Sequence, residues 1–106
     1  LMATRSVVAQ QFRSGLWVKD GASFINVREV MPDNTLRGIE IYGFDADGSL
    51  GWIRAAEQAK WRGGQNWDLQ QVMETRFSSA GIEATRSEVT AESLKQIQHR
   101  IERFLA

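Results

Sequence analysis

Turn-forming residues divide this chain into short segments at regular intervals, and this spacing constrains its fold more than any other feature. Gly, Pro, Asn, Asp and Ser cluster at residues 20–21, 32–34, 45–48, 63–66 and 78–81. The segments between these clusters are rich in β-branched and aromatic residues. Short strands separated by regular turns are typical of an all-β sandwich, barrel or jelly roll.

Six strands are predicted between the turns, over residues 16–19, 24–30, 36–44, 50–60, 67–77 and 82–87. The Asp20-Gly21 pair between the first two is a strong hairpin signal, because Gly supplies the positive φ that a tight turn needs. Ile25 and Val27 share one face by alternation. Apolar positions change from odd to even at Val72, which predicts a β-bulge there.

The C-terminal segment has a different period. Apolar residues recur at helical spacing over residues 91–105: Leu94, Ile97, Ile101 and Leu105. Ser93 with Gln96 fits a capping box, and Thr90 is an alternative cap. An isolated helix of this length is marginal in water, so its apolar side is expected to pack on the β domain, a second copy or a segment outside this chain.

Length and charge narrow the class of protein. The 106 residues suffice for one domain, and 13 basic residues balance 13 acidic ones. This balance gives no electrostatic reason to expect nucleic acid as a partner. The chain has no cysteine, which excludes disulfides and thiolate chemistry. No stretch approaches the roughly 20 apolar residues of a membrane-spanning helix.

The chain divides into three predicted parts. Residues 1–14 form an N-terminal lead-in without the features of a signal peptide, residues 15–88 the β domain and residues 89–106 a helical segment. Because the chain begins Leu1-Met2, we expect it to be a segment of a longer protein, with any membrane helices outside it.

No catalytic, metal or cofactor site is predicted. His99 is the only histidine and is expected at the surface. Asp45 and Asp47 resemble the opening of a calcium loop, but Glu57 stands one position late for the bidentate ligand, which favours a plain hairpin turn. Carboxylates on the strands are expected on a solvated face: Glu29, Glu40, Glu57 and Glu74. The chain is therefore predicted not to be an enzyme. A hydrolase or lectin-like domain would need carboxylates clustered in a cleft.

The aromatic residues leave two interpretations open. Four tryptophans occur in 106 residues: Trp17, Trp52, Trp61 and Trp67. Large residues of this kind fill the core of a small β domain. The alternative is an apolar groove that holds a lipid or an aromatic ligand.

Several segments resemble one known family. They are residues 15–21 (Gly-Leu-Trp-Val-Lys-Asp-Gly), 24–27 (Phe-Ile-Asn-Val), 36–45 (Leu-Arg-Gly-Ile-Glu-Ile-Tyr-Gly-Phe-Asp), 55–59 and 67–77. Together they resemble the periplasmic domain of the permeases of the lipopolysaccharide export ABC transporter, the G-type permease more than its F-type partner. The resemblance covers residues 15–86. Residues 90–94 keep the outline of the family's Thr-Pro-x-x-Leu segment without its proline, and a tryptophan expected after Arg86 is missing.

The resemblance implies an open, V-shaped, two-layer antiparallel β-jelly-roll, a periplasmic domain inserted between transmembrane helices of an inner-membrane protein in a Gram-negative bacterium. The implied partners are lipopolysaccharide, the partner permease, a jelly-roll bridge protein of the inner membrane and a cytoplasmic ATPase reached through the membrane part. An unpaired sheet edge favours a homodimer of the isolated domain.

Two roles follow from this resemblance. In the first, the jelly roll shelters lipid and hands it on while docking neighbouring jelly-roll domains, because each CH₂ that leaves water contributes roughly 0.8 kcal/mol. The residues expected to line its groove are Ile25, Val27, Ile39, Ile41, Ile53 and Leu69. In the second, the domain only docks other proteins and touches no lipid. Which face of the sheet points inward is left open by the sequence.

Overall fold

The computed structural model describes the backbone of residues 10–105 and the side chains of residues 15–97 and 99–101. Residues 1–9 of the predicted lead-in lie outside the described residues. Six strands and one helix follow in chain order: β1 (Gln10–Asp20), β2 (Ser23–Val30), β3 (Leu36–Phe44), β4 (Leu50–Trp61), β5 (Asn66–Ser78), β6 (Gly81–Ser93) and α1 (Lys95–Leu105).

The six strands form one antiparallel sheet in which each strand pairs with its neighbours in sequence. The predicted all-β class is confirmed, and the open sheet with its short C-terminal helix is consistent with a jelly roll. The Asp20-Gly21 hairpin is also confirmed, since Asp20 pairs with Ser23 and Gly21 has a φ of 62°. The described residues extend 56 × 27 × 27 Å.

The last strand is longer than predicted, and the helix starts later. Residues 91–93, predicted as helix, belong to β6, and the predicted division between residues 88 and 89 falls inside this strand. The ladder with β5 continues to the pair Asn66–Ser93. These backbone hydrogen bonds outweigh the helical spacing of the side chains. The helix therefore begins only where the ladder ends.

A line of residues crosses the sheet at one level. In each of the strands β2 to β5, the buried residues switch there between odd-numbered and even-numbered positions. The parity changes fall between Val27 and Val30, Leu36 and Ile39, Ala56 and Ala59, and Leu69 and Val72. Between these pairs lie four residues opposite one another on β2 to β5, which we call the crease: Arg28, Gly38, Glu57 and Gln71. Gly38 and Gln71 adopt positive φ values of 66° and 56°.

The β-bulge predicted at Val72 is absent. The buried positions of β5 do switch from odd to even at Val72, but β5 keeps an unshifted register with β4 and with β6. Because the four central strands change parity at the same level, none needs an extra residue relative to its neighbour. Register shifts lie elsewhere, between Gln11 and Leu16 and between Gly43 and Phe44.

Helix α1 closes the apolar core. Its Ile97 and Ile101 are at most 1% exposed and belong to the same buried cluster as Leu16 and Val18 of β1. The predicted caps are wrong, since Thr90 and Ser93 lie in β6. Instead, the carboxylate of Asp20 accepts a hydrogen bond from the Gln96 N–H, and the Gln65 carbonyl accepts one from the Leu94 N–H. The start of the helix is thus held by Asp20, at the end of β1, and by Gln65, in the β4–β5 turn, both distant from it in sequence.

Candidate functional site

The sheet has an inner, apolar face and an outer face. Strand register brings five of the six predicted groove residues together on the inner face, each at most 1% exposed: Ile25, Val27, Ile39, Ile41 and Leu69. They pack with Trp67 and with the apolar side of α1 in one cluster. In this structure the inner face is therefore a filled core.

The sixth predicted groove residue, Ile53, does not share that face. Its cross-strand partner is Tyr42, whereas Arg54 pairs with Ile41 and so takes the inner position. The expectation was wrong because β4 carries apolar residues at both odd and even positions, so alternation alone does not orient it. Ile53 lies half-buried on the outer face.

A charged cluster borders the core on the inner face of β4 to β6. The Arg54 guanidinium donates to Glu74 through Nε (2.5 Å) and through Nη1 to both carboxylate oxygens of Glu92 (3.0 Å each). It also lies over the Trp52 ring, 4.3 Å from the ring centroid. Arg54 thereby links β4 directly to β6 across the intervening strand.

The two carboxylates bonded to Arg54 respond to it in opposite ways. The hydrogen bond from Arg54 lowers the pKa of Glu74, and a second hydrogen bond, from Arg76, acts in the same direction. Burial raises the pKa of Glu92, and this desolvation exceeds the opposing effect of the Arg54 charge. Glu74 was expected on a solvated face. It lies instead at the edge of the core, because Arg54 supplies its counter-charge.

No pattern in the sequence pointed to this cluster. Arg54, Glu74 and Glu92 are far apart in the chain, and Glu92 was assigned to a helix. Only the correct pairing of β5 with β6 puts Glu92 within reach of Arg54. Extending the predicted strand from residues 82–87 to residues 82–93 would have placed Glu92 on β6, and this was the one available indication of the cluster.

The four tryptophans divide between the two interpretations of the sequence. Trp67 is fully buried and Trp52 packs against the core, as expected for core residues. Trp17 and Trp61 are 49% and 45% exposed. Trp61 donates through Nε1 to the Gly64 carbonyl and so braces the β4–β5 turn. Trp17 packs against Tyr42 on the outer face, with 5.7 Å between ring centroids and 32° between the ring planes.

The minor candidates adopt the structural roles expected for them. Within the 45–48 turn, the Gly48 N–H donates to the Asp45 carbonyl, and Asp47 accepts hydrogen bonds from Ser49. His99 is exposed on α1. Across the described residues there is no group of three or more His, Cys, Asp or Glu arranged to hold a metal ion. No helix in the described part of the chain has the length and apolarity to span a membrane.

The open antiparallel sheet, its apolar inner face and its C-terminal helix define an all-β domain of the jelly-roll kind. The family of the lipopolysaccharide export system permease LptF/LptG matches residues 2–104, and the chain belongs to this family. The match reaches beyond Arg86, so it includes β6 and most of α1.

Individual relatives agree with this membership. The chain is 39% identical over 68 residues to the lipopolysaccharide export system permease protein LptG of Escherichia coli (strain K12), covering 63% of this chain and 19% of that protein. It is 39% identical over 61 residues to LptG of Haemophilus influenzae, covering 57% of this chain and 17% of that protein. The chain thus corresponds to about a fifth of the length of these relatives.

Proposed function

We propose that this chain is the periplasmic jelly-roll domain of an inner-membrane permease that exports lipopolysaccharide. Membership in the LptF/LptG family is the observation that carries the proposal. The apolar inner face is compatible with a lipid-related role, since five aliphatic residues from β2, β3 and β5 form one continuous apolar layer that acyl chains would contact once the packing over it opens. The proposed role is in transport and not in catalysis.

The proposed partners follow from the same membership. They are the partner permease, a jelly-roll bridge protein of the inner membrane and, through membrane segments of the full-length protein, a cytoplasmic ATPase. Strand β6 offers a surface for docking another jelly roll. It is a sheet edge of 13 residues, its one partner among residues 10–105 is β5, and most of its side chains are exposed. Such an edge can accept a strand from a partner.

A second role, docking without lipid contact, is favoured by the filling of the core. The five inner-face aliphatic residues are at most 1% exposed, and α1 occupies the space over β1. Lipid could enter only where this packing opens. Beside the core, the partly buried Trp52 is the apolar inner-face side chain that an acyl chain would reach first.

Photocrosslinking in the intact transporter tests the two roles. A photoreactive amino acid replaces Trp52, and the matched control replaces Ile53, its neighbour on the outer face; both side chains are half-buried. Lipopolysaccharide adducts at Trp52 and not at Ile53 are expected if the inner face shelters lipid. Adducts to protein partners alone, at either position, would assign this domain to docking and the lipid path to another part of the transporter.

A further inference from the structure

The outer face carries a cleft above the crease. Its volume is about 520 Å³, within the range of ordinary ligand sites. The floor is apolar, formed by Ala55 and Met73, which are paired on β4 and β5. This cleft lies on the side of the sheet opposite the core, because its lining residue Glu40 alternates with Ile39 and Ile41.

Five successive strands each contribute a charged or amide side chain to the lining of this cleft. In order across the sheet they are Arg28, Glu40, Glu57, Gln71 and Arg86. Arg28, Glu57 and Arg86 make no ion pair with another of the described residues. Glu40 accepts a hydrogen bond from the Tyr42 hydroxyl at 3.0 Å. The cleft therefore presents positive ends and a negative centre.

The backbone of the crease shapes the cleft. An added Cβ at Gly38 would lie 3.0 Å from Cβ and 3.5 Å from Cδ of Arg28, so the absence of a side chain at Gly38 lets Arg28 lie along the cleft. Gln71 keeps a left-handed conformation that most residues avoid, at a cost of roughly 1–2 kcal/mol. Its exposed side chain lines the cleft beside Met73. Left-handed residues of this kind concentrate at binding sites.

We propose that this cleft binds an extended polypeptide segment whose acidic ends flank a basic centre. Arg28 and Arg86 are separated by four interstrand spacings, about 19 Å, which an extended segment of about six residues spans. A phosphate group would need cations that converge, whereas here Glu40 and Glu57 lie between the two arginines. Complementary charges select a partner and its orientation more than they add affinity. This proposal does not depend on the proposed lipid role.

Two synthetic hexapeptides of equal composition test the proposal on the 106-residue chain. One is acetyl-Glu-Ala-Lys-Lys-Ala-Glu-amide, and the other, with reversed charge order, is acetyl-Lys-Ala-Glu-Glu-Ala-Lys-amide. We expect the acid-ended peptide to bind about fivefold more tightly in low-salt buffer, measured by fluorescence anisotropy of labelled peptides. Added salt should reduce this preference. Equal affinities for the two peptides would overturn the proposal.

Variants link the preference to the cleft. The double variant Arg28→Glu/Arg86→Glu should abolish the preference, because the new carboxylates repel the acidic ends while Glu40 and Glu57 still attract the basic centre. Lys95→Glu/Arg100→Glu, an equal change of charge on α1, should leave the preference unchanged. If the first variant fails to fold by circular dichroism, Arg28→Gln/Arg86→Gln should reduce the preference, since only the attraction of Glu40 and Glu57 for the basic centre remains. Ala55→Trp, which fills the floor, should weaken binding of both peptides. An undiminished preference in the Arg28/Arg86 variants, or a preference that the α1 variant also abolishes, would contradict the assignment.

Discussion

The carboxylate of Asp20 accepts a hydrogen bond from the backbone N–H of Gln96 at 3.1 Å, across 76 positions of sequence. Asp20 ends β1 and opens the first hairpin, whereas Gln96 lies in the first turn of α1. A helix N-terminus leaves N–H groups without intrahelical partners, and a carboxylate there is favourable both as acceptor and as charge. Asp20 therefore closes the first hairpin through its backbone and positions, through its carboxylate, the helix that covers the core.

Loss of this carboxylate should loosen the helix. Asp20→Ala is expected to lower the free energy of unfolding by about 0.5–2 kcal/mol, the usual cost of losing a helix cap. Asp20→Asn retains an acceptor oxygen and should cost less. Urea unfolding of both variants measures the difference. Equal stability of wild type and Asp20→Ala would show that the hydrogen bond to Gln96 contributes nothing.

The two carboxylates bonded to Arg54 should give opposite pH dependences. The Glu74 pKa is lowered from its usual 4.5, so this group stabilises the fold above pH 4.5, and its contribution is lost as the pH falls through the folded-state pKa. The stability of Glu74→Gln relative to wild type should therefore fall as the pH rises through this range. Unfolding midpoints in urea between pH 3 and pH 7 give the comparison.

Glu92 should behave in the reverse sense. Its pKa is raised from 4.5, so its favourable contribution is fully present below pH 4.5 and is lost as the pH rises through the folded-state pKa. In the same urea unfolding measurements between pH 3 and pH 7, the stability of Glu92→Gln relative to wild type should rise as the pH rises. Parallel curves for Glu74→Gln and Glu92→Gln would contradict the assigned pKa directions.

Core and outer face should differ sharply in their tolerance of truncation. Ile39→Ala removes fully buried methyl groups and should cost about 2–5 kcal/mol of unfolding free energy. Ile53→Ala, on the half-buried outer face, should cost only about 1 kcal/mol. Guanidinium unfolding curves of the two variants test this facing. A larger loss at Ile53 than at Ile39 would mean that the strand β4 faces the other way.

At the two crease positions with positive φ, glycine should be the more stable residue. Gly38→Ala forces a left-handed alanine against Arg28 and should destabilise the chain by about 1–2 kcal/mol. Gln71→Gly relieves the left-handed conformation and, after the entropy cost of glycine, should stabilise by about 0.5 kcal/mol.

Gln70→Gly is the matched control, because Gln70 precedes Gln71 on β5 and lacks a positive φ. This change should destabilise by about 0.5–1 kcal/mol. Thermal unfolding of the three variants measures the effects. Destabilisation of equal size by Gln71→Gly and Gln70→Gly would refute the strain assigned to Gln71.

Local sequence signals predicted most of the architecture. Turn residues marked all five hairpin connections, and alternation put Ile25 with Val27 on one face, which pairs with Ile41 and Ile39 of β3. The strand ends were less predictable, because residues 91–93 carry helical spacing yet complete a ladder with β5. Among the groove candidates, Ile53 was misplaced because its strand has apolar residues at both parities.

The sequence by itself determined the all-β class, the positions of the turns, the shared face of the aliphatic residues within β2 and the family resemblance, since each depends on residues close together in the chain. Only the tertiary structure decided the facing of β4, the crease, the Arg54–Glu92 contact and the cap that Asp20 provides for α1. These features join residues from separate strands. Their energies arise from register and burial, which no local pattern of residues encodes.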